Sequence, residues 1–251
     1  MDRYIVRYSV FHMMQAFILQ VVVFTLSLAL PAWLFRWFIL PMFASGSVTG
    51  LVGIVVLFCD LYFWLICAVI VSGLVWRVCR LRYLPGLYPM DSRKSRNMKK
   101  WLLTQAIYRP VHQVLVALSL YPLKMLHLRL FGAKIGRGVT IEGILLDPCL
   151  IEVGDNTMVG GYTYVFGHSF ELVPGKKDFR CILAKTRIGG NCGIGSGCIV
   201  MCGGQMEDQS FLAAHSILLK NRTLETGGYY GGVPAKLITV VATPEDEALF
   251  E

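Results

Sequence analysis

His168 stands in the segment Gly167-His168-Ser169-Phe170-Glu171. Imidazole takes up and returns a proton near neutral pH. A histidine that follows glycine, with a carboxylate three residues on, therefore has the makings of a general base. Glu171 is the carboxylate that would orient the ring or touch a substrate. Such a base suits the attack of a hydroxyl or amine on an activated carbonyl, with the oxyanion held by backbone N–H groups. Zinc-dependent hydration is excluded, because it needs a triad of histidines and only His168 and His215 occur from Ile135 onward. The 8 cysteines include no CxxC pair and no framework of short loops, which reads as reduced thiols, most of them buried.

The residues around His168 repeat with a period of six. Ile135, Ile141, Asp147, Val153, Val159 and Val165 form one series, and Ile188, Ile194, Val200, Met206, Leu212, Leu218 and Leu224 form a second. Asp147 is the one member that is not aliphatic. Gly136, Gly154, Gly160, Gly189 and Gly195 each follow a series position, where a turn would need freedom in φ. This period is the signature of a parallel β-helix with three short faces per coil of about 18 residues, and four coils are expected between Ile135 and Thr223. The register breaks at Glu171–Arg187, an insertion leaving one corner directly after His168. Loops of that length on compact domains are usually functional or disordered.

The first half of the chain is of another kind. Of 251 residues 55% are hydrophobic and 16% charged, against about 25% charged in a soluble domain. The net charge of +8 divides into +11 before Gly132 and −3 after it, with eight cations between Arg77 and Lys100. Cations clustered beside apolar segments are membrane anchors, which makes nucleic acid an unfavoured partner. Val10–Leu30 and Leu51–Val75 read as two transmembrane helices, the second roughly 37 Å long. A cleaved signal peptide is disfavoured for the first, since no small-x-small site follows before Arg36. Arg3 and Arg7 before the first span, and Arg77, Arg80 and Arg82 after the second, put both ends in the cytoplasm. Asp60 within the second span marks a polar contact, a water-lined cavity or a helix partner, and a structural partner is weighed there against a substrate-related role. Residues 91–131 are basic and then amphipathic, with Pro110 and Pro122 interrupting the apolar run. In-plane helices at the membrane surface fit that pattern, with ordinary packing against the next domain as the alternative.

Three segments carry a family resemblance: GAKIGRGV (132–139), GHSFE (167–171) and LAAHSILLK followed by GGVPAKLI, within 212–238. On these the chain resembles the hexapeptide-repeat acyltransferases over about residues 128–240. GHSFE and the two preceding spans also resemble one unit of the membrane-embedded C-terminal region of nonribosomal-peptide-synthetase-like enzymes such as ε-poly-lysine synthase. The resemblance implies a left-handed coil, against the general rule for parallel crossovers. It also implies a homotrimer with sites between neighbouring helices, and acetyl-CoA or another acyl-CoA as donor. His168 falls on the family's catalytic histidine. Gly195 and Ser196 fall on its cofactor-contacting I-G-S hexad, Ala213 and Ala214 on the small residues along the pantetheine arm, and Lys220 and Lys236 on its basic residues. Cys192-Gly193 and Leu219 depart from the sugar-acetylating pattern, which bears on the size of the acyl pocket.

The expected organisation is a transmembrane hairpin (1–90), interfacial helices (91–131), a left-handed β-helix (132–240) with its loop at 171–187, and a tail (241–251). The function implied is a multi-pass, membrane-anchored acyltransferase working in the cytoplasm without a metal, on a membrane-associated acceptor. Transfer from a carrier protein and a non-catalytic membrane-tethered scaffold are the alternatives.

Overall fold

The computed structural model describes residues 10–46, 50–175 and 178–240. The tail 241–251 and the topology residues Arg3 and Arg7 lie outside the described residues. The rest falls into two compact units, one built from residues up to Arg82 together with Lys100–Leu130, the other from Tyr83–Lys99 and Phe131 onward. Residues 83–99 thus group with the β-rich part.

In the helical unit α1 (Val10–Leu34) runs through a π-helical turn (Phe35–Ile39) into α2 (Leu40–Ala44). The first span therefore extends past both Leu30 and Arg36. It stops where Gly46 takes φ +67°, with the Ser45 and Gly46 N–H groups donating to the Pro41 and Phe43 carbonyls. α3 (Gly50–Val78) packs on α1, and the Trp64 indole donates to Ser27 Oγ at 3.1 Å. Both helices, Val10–Ala44 and Gly50–Val78, are long and apolar enough to cross a membrane. Asp60 is half-buried on α3.

α4 (Arg96–Ala117) is continuous through Pro110, contrary to the break expected there. An interior proline costs about 3 kcal/mol. Here buried Ile107 and Tyr108 before it, and Val111, His112 and Leu115 after it, hold both halves to one apolar stripe. α5 (Tyr121–Leu130) lies close to α3, since a side chain at Gly73 would meet Leu130 Cβ at 2.7 Å.

Three buried rings stack inside this unit. Tyr108 lies 4.8 Å from His112 and 5.1 Å from His127, and His127 Nε2 is 3.3 Å from Ser72 Oγ. Burial lowers His112 to about 3, with the Lys124 charge adding to the effect. Burial, then His112, likewise holds His127 well below the ordinary range. In the unfolded chain a histidine protonates near 6.5. The unfolded state therefore binds the extra proton first, and stability present above pH 6.5 is lost as pH falls towards 3. His112 alone costs about 1.4 kcal/mol per pH unit over that window, and the depressed His127 acts in the same direction. The helical melting midpoint in mild detergent should drop steeply below pH 6, and His112→Phe should flatten part of the fall. A midpoint independent of pH would contradict this burial of neutral rings.

The other unit is a parallel β-solenoid. Its first face stacks Ile135, Val153, Ile188, Met206 and Leu224, and its second Ile141, Val159, Ile194, Leu212 and Tyr230. The third face stacks Leu145, Val165, Val200 and Leu218. Two faces carry five parallel levels, so the stack has about five turns where four were expected, the added level coming from Gly228–Gly231. On the third face Leu145 takes the place expected of Asp147. The spacing there shortens to four residues, and the chain then makes a 3-10 turn at Pro148–Leu150 before the next coil.

The glycines after the series positions answer a different need from the one expected. Gly195 is absent from the positive-φ residues, yet a side chain there would run into the Ala214 backbone of the coil above. The left-handed turn falls two residues later, at Gly197 (φ +72°). Buried Thr157 and Thr163 donate to the Gly189 and Gly195 carbonyls at 2.7 and 2.9 Å and accept from the Cys192 and Cys198 N–H groups. Small hydroxyl corners thus satisfy buried backbone groups that a larger residue would leave unpaired.

The insertion is a β-hairpin, His168–Leu172 antiparallel to Phe179–Leu183. It begins at His168 itself. Gly86–Pro89 adds a third antiparallel strand alongside Phe179–Leu183.

Candidate functional site

Asp147 ends the strand Ile144–Leu146, which pairs in register with Tyr164–Phe166. The next residue on the partner strand is Gly167, so Asp147 and His168 meet at one corner of the solenoid. Asp147 takes the left-handed conformation (φ 70°, ψ 59°), which short polar side chains tolerate better than most. Gly167 is required by this approach, because a Cβ there would stand 2.8 Å from Asp147 Cβ and 3.0 Å from Leu150 Cβ.

The Asp147 carboxylate is fully buried and bonded on both oxygens. Oδ2 meets His168 Nδ1 and accepts from the Gly167 N–H at 3.3 Å, while Oδ1 accepts from the Tyr83 hydroxyl at 2.9 Å. A buried carboxylate is tolerable only when partnered in this way. Burial first, then the Asp147 charge, pushes the Tyr83 hydroxyl well above its usual range, which keeps its proton available for donation. The same two causes push Cys181 up to about 12 and Cys202 up to about 11. These thiols stay protonated at neutral pH and are poor nucleophiles. With Nδ1 donating to Asp147, the imidazole presents its lone pair at Nε2.

His168 forms part of the wall of a cavity of about 410 Å³, completed by Ser169, Phe166, Phe170, Ile199, Met201 and Ile217. The ring is 5.8 Å from Phe166 and 5.2 Å from Phe170.

Glu171 is elsewhere. Alternation along the strand turns it to the face opposite His168, where it pairs with Arg180 at 3.1 Å and with Lys220. Asp147, and not Glu171, is the carboxylate on the imidazole. Lys220, expected along the donor, ties a solenoid corner to the hairpin through Glu171.

The other expected donor residues gather at a different corner. Gly195 lies beneath Ala214, the His215 N–H donates to the Ser196 carbonyl at 2.9 Å, and the Ala213 N–H donates to the Tyr230 carbonyl at 2.8 Å. Lys236 is exposed on the last strand, opposite Gly231, itself close to Ala213. Ala214 and His215 are solvent-exposed, which leaves a corner of small side chains open to a thin ligand. The strands Ile199–Val200 and Ile217–Leu218 separate this corner from the one that carries His168. One chain therefore holds the two groups on opposite sides of its third face. Among the described residues no three His, Cys, Asp or Glu side chains converge as a metal site would need.

Sequence reasoning missed Asp147 and Tyr83. The first had a signal, being the one acid in a series of aliphatics. The second had none, since its role depends on a strand 64 residues away.

No family model matches the chain. An uncharacterised protein of Dictyostelium discoideum is 32% identical over 115 residues, 40% of this chain and 44% of its own length. The chain thus spans less than half the length of that curated relative. Among solved structures, a hexapeptide-repeat acetyltransferase of Vibrio cholerae complexed with acetyl coenzyme A is 15% identical, with 59% of this chain and 91% of that one covered and a TM-score of 0.44. A galactoside acetyltransferase in complex with coenzyme A is 16% identical, covering 56% and 83%, with a TM-score of 0.41. A maltose O-acetyltransferase from Clostridium difficile 630 is 17% identical, covering 54% and 87%, with a TM-score of 0.40.

Proposed function

We propose that this chain is a membrane-anchored acyltransferase that moves an acetyl or other acyl group from coenzyme A to a hydroxyl or amine of a membrane-associated acceptor. The observation that carries the reading is the imidazole of His168, held at Nδ1 by a buried carboxylate and set in the wall of a cavity. In this reading Nε2 takes the acceptor's proton as its oxygen or nitrogen attacks the thioester carbonyl, and Asp147 steadies the imidazolium that forms; the tetrahedral adduct then collapses with cleavage of the C–S bond, and coenzyme A leaves as the thiol with the proton that the imidazolium returns. Gly195, Ser196, Ala213 and Ala214 hold the donor's arm, and Lys236 meets a phosphate. The site then belongs to neighbouring copies in a homotrimer, because one chain keeps the base and the donor residues at separate corners. A closed ring repeats one heterologous contact, and such a contact sets one corner of each copy against another corner of the next.

The two apolar helices serve as the anchor, and the charge distribution supports a solenoid on the cytoplasmic side. Tethering raises the encounter rate with an acceptor that shares the membrane. The reading is tested by coenzyme A release from acetyl-CoA in the presence of lipid extracts, beside thermal stabilisation by coenzyme A. Neither turnover nor stabilisation is expected of a scaffold.

Lys236→Ala should raise KM for the thioester while kcat changes little, since a phosphate contact far from the carbonyl serves ground and transition states alike. A lost charge-assisted contact costs about 1.5 to 3 kcal/mol, and an unchanged KM would remove Lys236 from the site. Mixing inactive subunits gives a sharper check on the assembly. Trimers of His168→Ala and Ala214→Trp chains should regain part of the activity that each homotrimer lacks, and no recovery after subunit exchange would place the whole site in one chain.

A further inference from the structure

The cavity beside His168 has an unusual chemistry for a surface that faces outward from a solenoid. Outward positions on the first face are Glu152, Arg187, Gln205 and Thr223, in register from coil to coil. Those in register on the third face are Ile144, Tyr164, Ile199 and Ile217. One face is built for water and the other for an apolar cover. Where the hairpin leaves the stack, Phe166 and Phe170 join Ile199, Met201 and Ile217 in lining one open concavity. The polar side chains in its wall are His168 and Ser169. The nearby charges of Glu171, Arg180 and Lys220 are engaged with one another.

Resting on the acyl-transfer reading, we propose that the acceptor is an apolar alcohol or amine, whose alkyl chain or aromatic ring fills this cavity while its nucleophile lies at His168 Nε2. A sugar fits poorly. Each of its hydroxyls would lose water for a wall of aromatic and aliphatic carbon, and a buried hydroxyl without a partner is costly. The volume of about 410 Å³ falls in the range of small-ligand sites. The three rings Phe166, His168 and Phe170 offer edges and faces to a flat or linear apolar body.

The test uses the full chain in lipid nanodiscs with acetyl-CoA, and compares n-alkylamines and n-alkanols from two to six carbons with galactose and glucosamine. Burial of a methylene gives about a fourfold gain, so kcat/KM should climb about fourfold per carbon, and Ile199→Asn should flatten that slope. Sugars turned over beside a flat alkyl series would overturn the proposal. A second measurement does not depend on turnover. In protein labelled at isoleucine and methionine methyls, hexanol should shift Ile199, Ile217 and Met201 in both wild type and His168→Ala, and galactose should not. Methyls that ignore hexanol, or answer galactose instead, would overturn it as well. Hexanol shifts without transfer to any acceptor would support the apolar cavity and count against the acyl-transfer reading.

Discussion

His168→Ala lowers kcat for acyl transfer by roughly 10²- to 10⁴-fold, the range for a positioned general base, while coenzyme A binding holds. The split follows from where the groups lie. His168 stands at the corner that carries the cavity, and Gly195, Ser196, Ala213 and Ala214 stand across the third face. On the proposed reading, removing the ring therefore leaves the residues that hold the donor intact. Gln is the informative second substitution, since it keeps much of the bulk and a hydrogen bond to Asp147 but cannot take the proton. It should be nearly as slow as Ala. Turnover is measured at saturating thioester, with calorimetric binding of coenzyme A and the melting midpoint alongside. Wild-type turnover in either variant with binding intact would end the assignment of His168 as base.

The fold was legible because a solenoid writes its core into the sequence at a short period. Ile135, Val153, Ile188, Met206 and Leu224 recur where a stack must bury them, and each pairs with the next as the six-residue step requires. The same regularity misled at Asp147. Counting by six carried the series straight through a place where the chain shortens one side to four residues and spends the difference on the turn at Pro148–Leu150. An acid in an aliphatic series was the trace of that departure. The hairpin also left a trace, since His168–Leu172 and Phe179–Leu183 are each long enough to pair, though a 17-residue gap in the repeat looks like a loop until partners are known. Tyr83 left none. Its position depends on Gly86–Pro89 pairing with a strand about ninety residues later, and no local pattern encodes a contact of that range. In the helical part apolarity alone marks the two long apolar helices but not their ends. The apolar run suggests an end at Leu30, but the turn that stops the helix is at Gly46, where the backbone goes left-handed.

Asp147→Asn should lower kcat by about 10²- to 10⁴-fold with little effect on KM for the thioester. The carboxylate meets three demands at once, accepting at Oδ1 from Tyr83 and at Oδ2 from both the Gly167 N–H and the imidazole. An amide has one oxygen to offer. If that oxygen faces the ring, Nδ1 keeps its partner but the negative charge that steadies the imidazolium is gone. If the NH2 faces the ring, it donates to Nδ1 and moves the imidazole proton to Nε2, where the base needs a lone pair. Loss of a correctly placed carboxylate behind a catalytic histidine costs up to about 10⁴ in kcat. Tyr83→Phe should cost less, about tenfold, because it removes one donor and leaves the charge in place. Asp147 is fully buried at the corner that carries His168, across the third face from Gly195, Ser196, Ala213 and Ala214, so coenzyme A binding serves as the internal control. A uniform loss of binding and turnover would mean that the substitution disturbs the coil. A loss confined to kcat, graded from Tyr83 to Asp147, is what a carboxylate acting through the ring of His168 requires, and full activity in Asp147→Asn would show that the ring needs no orienting partner.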